Sequence, residues 1–176
     1  MGIELFIPAN WANLNQNVPG AEGRLASFWA TAVNAGNMIS WFPIIEFNNQ
    51  LNSGAGGFRI WNNGSWINVP GFVGYNQWYD WGVELSGGNF NYYVNGNFVG
   101  STSASTSVAL SNVILQGYNA GNTYDIYWDN LRDTAVIPEP TTWAVLGIVG
   151  LSVFGYRVRR RGGVRKILES RQKTLG

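Results

Sequence analysis

Along residues 1–135 apolar and polar positions alternate in short runs. Clusters of Asn, Gly, Ser and Pro interrupt the runs roughly every 8–15 residues, the spacing of an all-β sandwich. The pattern predicts strands at Ile3–Ile7, Leu25–Val33, Ile44–Asn48, Gly57–Trp61, Ser65–Val69, Trp81–Ser86, Phe90–Asn95, Asn97–Ser101, Val113–Tyr118 and Tyr124–Leu131. Long helical patterns are absent there. The breaks carry turn chemistry: Asn-Ser-Gly at 52–54, Asn-Asn-Gly at 62–64, Gly-Gly-Asn at 87–89 and Asn95-Gly96. A two-residue hairpin turn needs positive φ at both central positions, and Asn-Gly adopts it at least cost. Phe90–Val94 and Asn97–Ser101 are therefore expected to pair. Val83 and Leu85 should share one face with Glu84 opposite, and Tyr124, Ile126 and Trp128 should oppose Asp125, Tyr127 and Asp129. The small polar run Ser101–Ser107 reads as a mobile loop.

One stretch breaks the alternation. Thr141–Tyr156 is uncharged over sixteen residues. As a helix it spans roughly 24 Å at about 1.5 Å per residue, short against a hydrocarbon core of roughly 30 Å. Trp143 and Tyr156 sit at its ends, where aromatic rings favour the interface. Pro140 suits the first helical turn, and Val158 and the stem of Arg157 lengthen the apolar reach. The expectation is one transmembrane helix at about 141–158, with Arg157, Arg159, Arg160 and Arg161 cytoplasmic and the body outside. Gly147, Gly150 and Gly155 have no G-x-x-x-G spacing, so a helix dimer is not indicated.

Charge divides the chain the same way. Residues 1–135 carry three arginines (Arg24, Arg59, Arg132) against eight carboxylates, a net −5. Residues 157–176 carry eight Lys/Arg and one Glu, a net +7. An acidic body does not suggest nucleic-acid binding. The basic end fits membrane topology and anionic lipid. The chain has no Cys and no His. Disulfides, thiol nucleophiles, His acid/base catalysis and the usual zinc sites are thereby excluded. Three segments follow: a body at 1–135, a sorting and membrane segment at 136–161, and a basic cytoplasmic tail at 162–176.

Pro138-Glu139-Pro140, then Trp143-Ala144-Val145-Leu146-Gly147, then the arginine cluster resembles the PEP-CTERM sorting signal of bacterial exopolysaccharide-associated proteins. The resemblance covers about 25 residues and keeps the family's order. It implies recognition by an exosortase, processing near Pro138–Pro140, transient residence in the inner membrane, and a final place at the cell surface or in the extracellular matrix. Family members usually stop after the basic cluster, whereas Gly162–Gly176 continue here. Such a protein is expected to carry a secretory signal peptide. MGIELFIPANWANLNQ has neither a basic nor an apolar leader region, so an N-terminal piece is expected to be missing.

Trp81–Gly100, through Tyr92-Tyr93-Val94-Asn95-Gly96 and Val99-Gly100, resembles concanavalin A-like/laminin-G-type jelly rolls. The fold implied is a two-sheet antiparallel jelly-roll sandwich. A fold of this kind does not fix a ligand.

The candidate site residues are aromatic. Trp61, Trp66, Tyr75 and Trp78 lie in or beside Asn/Gly-rich loops, with Asn62, Asn63, Asn76 and Gln77 near them. Aromatic faces stack on sugar rings and amides bond hydroxyls; the same rings equally suit a sandwich core. Carbohydrate-binding candidates are Trp61, Trp66, Asn62, Tyr75 and Trp78, with Trp61 and Trp66 the expected exposed pair. Asp129 resembles the closing-strand aspartate that holds a structural Ca²⁺ in several carbohydrate-binding jelly rolls. Glu4 from a neighbouring edge would add a second oxygen donor. A retaining glycosidase needs two close carboxylates; Pro43–Asn48 has one acid only, and Glu46 would have to pair across strands with Glu84, which nothing local supports. The leading expectation is a non-enzymatic, polysaccharide-associated surface protein. A structural or adhesion module without a sugar site competes with it, and a glycan hydrolase is the third reading.

Overall fold

A computed structural model describes residues 1–14, 19–20, 22–118 and 122–133. All of them belong to one compact unit, Met1–Thr134. The expected sorting motif Pro138, Glu139 and Pro140, the expected transmembrane helix, and Arg157, Arg159, Arg160 and Arg161 lie outside the described residues. Among the described residues no helix is long and apolar enough to cross a membrane.

The described chain is all-β. Its strands are β1 (Gly2–Ile7), β2 (Arg24–Val33), β3 (Ile39–Trp41), β4 (Ile44–Asn48), β5 (Gly57–Asn62), β6 (Ser65–Val69), β7 (Gln77–Ser86), β8 (Asn89–Val94), β9 (Asn97–Ser103), β10 (Ala109–Gly117) and β11 (Tyr127–Arg132). Two antiparallel sheets result. The five-stranded sheet runs β11-β1-β7-β8-β9. The six-stranded sheet runs β10-β2-β4-β5-β6, with β3 added to β2.

Turn chemistry sets the hairpins. Asn95 and Gly96 have φ of 50° and 74° and join β8 to β9, as their sequence requires. Asn63 and Gly64, with φ of 41° and 98°, join β5 to β6 in the same way. Alternation then sends one set of side chains inward. Ile3, Leu5 and Ile7 of β1, Ile45 and Phe47 of β4, Phe58 and Ile60 of β5, Tyr79, Trp81 and Val83 of β7, and Phe90, Tyr92 and Val94 of β8 make one core. Phe58 meets Tyr79 and Trp81 of the other sheet edge-on, at 4.9 and 5.3 Å. Trp11, in a 3-10 turn at Ala9–Asn13, closes one end against Phe47 and Tyr124. Truncating a buried ring of this kind to Ala costs about 3–5 kcal/mol.

Four expectations shift. β7 starts at Gln77 rather than Trp81, because β1 pairs with it along its whole length, to Ile7↔Gln77. β10 starts at Ala109 rather than Val113, since it follows β2 to Val33. The last strand starts at Tyr127 rather than Tyr124: the Tyr124 hydroxyl accepts from Tyr118 N–H and shares its one proton between Leu25 O and Tyr118 O, and so holds an irregular segment. The run expected as a loop, Ser101–Ser107, opens as strand. Thr102 is buried with its hydroxyl 3.2 Å from that of Tyr92, and Ala104 is fully buried, so small side chains here fit close packing.

Candidate functional site

The site starts from a conflict inside β4. In Ile44-Ile45-Glu46-Phe47, Ile45 and Phe47 enter the core, so Glu46 points to the outer side of the six-stranded sheet. Its side chain is nonetheless 0% exposed. A buried carboxylate is costly unless paired and hydrogen-bonded. Register supplies the partners. Arg59 lies directly opposite on β5, and its Nε donates to Oε1 at 2.6 Å. Arg24, at the start of β2, donates from Nε to Oε2 at 2.8 Å. The two arginine side chains are 14–15% exposed. Burial pushes the Glu46 carboxyl above its ordinary range, against the pull of Arg59 and then Arg24.

Glu46 and Arg59 lie within a row that crosses the whole sheet: Gln116, Ser27, Glu46, Arg59 and Asn68 are successive cross-strand partners, while Arg24 pairs with Asn48 beyond a register shift and reaches Glu46 from there. An apolar row runs beside it. Ile114, Trp29 and Ile44 are partners, and Trp61 pairs with Trp66. Trp61 and Trp66 meet edge-on with centroids 5.1 Å apart. The guanidinium carbons of Arg59 and Arg24 lie 4.5 and 5.1 Å from the Trp66 ring, and Arg24 lies 4.1 Å from the Tyr118 ring. These are cation–π distances. Arg24 Nη2 also donates to the Tyr118 hydroxyl, which donates to Gln116 Oε1 at 3.0 Å. Trp29 Nε1 donates to the Ser27 hydroxyl at 2.8 Å. Burial raises the Tyr118 phenol above its ordinary value. An open cavity of about 220 Å³ adjoins Trp61, lined by Ile39, Ser40, Trp41, Phe42 and Trp61.

The five aromatic and amide candidates do not form one platform. Trp61 and Trp66 share the outer face of the six-stranded sheet, but they are half-buried rather than exposed, because the two guanidiniums cover Trp66. Asn62 follows Trp61 in β5, so the strand pleat turns it to the other face; its carbonyl accepts from Ser65. Tyr75 packs against Phe72 and Phe47, with centroids at 5.3 and 5.9 Å, at the core's margin. Trp78 stands on the outer face of the five-stranded sheet, 45% exposed. There Tyr127, Phe6 and Trp78 form a ring ladder across β11, β1 and β7, with centroid spacings of 6.2 and 5.4 Å.

Glu4 and Asp129 are cross-strand partners on that same sheet. Glu4 accepts from Asn130 Nδ2 at 2.8 Å, and Asp129 Oδ1 accepts the Asn130 N–H. No group of three or more acidic side chains placed to hold a metal occurs among the described residues. The Glu46–Glu84 pair does not form. Glu46 sits in the six-stranded sheet and Glu84 in the five-stranded one, where it accepts from the Tyr93 hydroxyl at 2.8 Å.

Sequence reading did not find the Arg24–Glu46–Arg59 triad. Its one signal is Glu46 itself, a lone acid inside an apolar strand. Compared with protein-family models and with curated proteins, the chain matches none.

Proposed function

We propose that the body is a non-enzymatic carbohydrate-binding β-sandwich of the concanavalin A-like jelly-roll type, exported and sorted by an exosortase through its PEP-CTERM tail. In this reading Thr141–Val158 is a transient membrane helix, and the mature protein belongs to an extracellular polysaccharide. Two antiparallel sheets and the Tyr92–Gly96 hairpin support the jelly roll. The observation that carries the binding reading is the Trp61–Trp66 pair, set beside two fixed guanidiniums and a cavity on one sheet face. Fixed rings flanked by hydrogen-bond donors suit a sugar ring, which needs an apolar contact and polar neighbours together.

Full-length protein in mild detergent should be retained by insoluble polysaccharide. Trp66→Ala should weaken retention by about tenfold, the loss of one aromatic contact worth ~1.4 kcal/mol. Unchanged retention in a folded variant removes the aromatic platform. A structural or adhesion module is the second reading, favoured by the burial of Glu46 and the half-burial of both indoles, as a strut across β2, β4 and β5 requires. Retention by no polysaccharide tested would support it. Sorting has a separate test. Mass spectrometry of mature protein from an exosortase-positive host should find the C-terminus near Pro140, and an intact Gly176 would sink the sorting reading.

A further inference from the structure

At the Arg24–Glu46–Arg59 triad the polar atoms left open are donors, with the exposed amide of Asn68 beside Arg59 in the same row. Sugar sites that take neutral hydroxyls usually offer acceptors as well as donors. Here the carboxylate of the triad is sealed, with one oxygen engaged by each arginine. Gln116 Oε1 is taken by the Tyr118 hydroxyl, leaving its amide N–H₂. Arg24 spends Nε on Glu46 and Nη2 on Tyr118, and Arg59 spends Nε and Nη2 on one Glu46 oxygen. Each arginine keeps an Nη1 with no hydrogen bond among the described residues. Two guanidiniums against one carboxylate leave the triad itself with a net positive charge, and the exposed Glu22 carboxylate, which feels Arg59, is a further acid near it. Packing against Trp66 and Tyr118 fixes that charge in place before any ligand arrives.

We infer that this face takes an acidic polysaccharide, one bearing carboxylates of the uronate type, with a pyranose ring against Trp61 and Trp66 and its carboxylate at the open Nη1 edges of Arg24 and Arg59. The inference rests on the carbohydrate-binding reading above. A planar guanidinium matches a carboxylate in shape as well as charge. The opposite face suits an acidic ligand less, since Glu4, Asp80, Glu84 and Asp129 stand there against Arg132 and the Met1 ammonium among the described residues.

The test compares full-length protein in detergent with polygalacturonate, a neutral β-glucan and double-stranded DNA of matched charge. Polygalacturonate should bind about tenfold more tightly than the glucan at low salt, and the gap should close as salt screens it. Arg59→Gln should lower polygalacturonate affinity about tenfold at low salt and so erase that gap. Glu46→Gln, which removes the neutralising charge while keeping the shape, should hold or raise polygalacturonate affinity. A purely structural triad predicts the reverse for that variant. If Arg59→Gln fails to fold, Glu46→Gln decides alone, and a fall in polygalacturonate binding by the folded variant would overturn the inference. Equal binding of glucan and polygalacturonate would overturn it and leave the carbohydrate reading standing. DNA binding as tight as polygalacturonate would also overturn it, as unspecific attraction. Binding of no glycan would overturn both.

Discussion

The two outer faces of the sandwich use the same residue types in opposite ways. On the six-stranded sheet the carboxylate is buried, the arginines are clamped and the indoles are half-covered. On the five-stranded sheet the rings of Trp78 and Tyr127 are 45% and 48% exposed, and the Arg132–Asp80 pair is more than a third exposed on both sides. An ion pair at the surface is worth ~0–1 kcal/mol, whereas breaking a buried one costs about 3–5 kcal/mol. The first face is rigid by construction, and the second is a solvated surface on which rings and acids sit side by side. Related residue types are thus clamped on one side and solvated on the other.

That contrast can be broken most directly by removing its two acids. Glu46→Ala should lower unfolding free energy by about 3–5 kcal/mol, because two guanidiniums lose their shared partner and a cavity opens. Asp80→Ala should cost less than about 1 kcal/mol. Paired denaturant titrations read both, and equal losses would end the distinction.

A second, smaller effect depends on pH. Burial holds the folded Glu46 carboxyl above its reference value of 4.5, so the folded state keeps its proton longer than the unfolded chain does. This contribution to stability is fully present below 4.5 and is lost as pH rises through the folded value. Glu46→Gln should remove that part of the slope from a plot of stability against pH. An unchanged slope would assign it to other groups.

The smallest effect separates two tyrosines. Tyr93, on the five-stranded face, is raised chiefly by its hydrogen bond to Glu84, whereas Tyr118 is raised chiefly by burial. Glu84→Gln should return Tyr93 toward 10, while Glu46→Gln should leave Tyr118 high. Ultraviolet titration of the phenols, with Tyr93→Phe and Tyr118→Phe as references, checks both.

Most of the strand map was legible because turn chemistry is local. Asn95-Gly96 and the glycine-bearing breaks at 62–64 and 87–89 mark the hairpins by themselves. β3 escaped because three residues carry too little alternation to detect. The ends of β7 and β10 escaped because their partners, not their own residues, decide how far pairing runs. The site was less legible for a related reason. Trp61 and Trp66 flank one turn, and a local reading brings them together. Arg24, Glu46 and Arg59 come from three strands; the register Glu46↔Arg59 and the irregularity between Arg24 and Ala26 bring them together, and neither can be read locally. Trp78 sits near Tyr75 in sequence but on the far side of the sheet from the core, and periodicity alone did not assign it to the other face.

The position of β11 has a mechanical consequence. It is an edge strand, hydrogen-bonded to β1 alone, and the chain leaves for its tail just beyond it. Any pull transmitted along the tail therefore enters the sandwich through β11. A polymer held on the six-stranded face would resist that pull from the opposite sheet. What opposes peeling is the ladder to β1, with Trp128 against Trp81, Tyr127 against Phe6, Asn130 on Glu4 and Arg132 on Asp80. Under tension the survival of the fold is set by the rate of losing this one strand rather than by the stability of the whole. The five-stranded sheet thus acts as a hinge-side fastening, and its exposed acids and rings are also the last clasp before the tail.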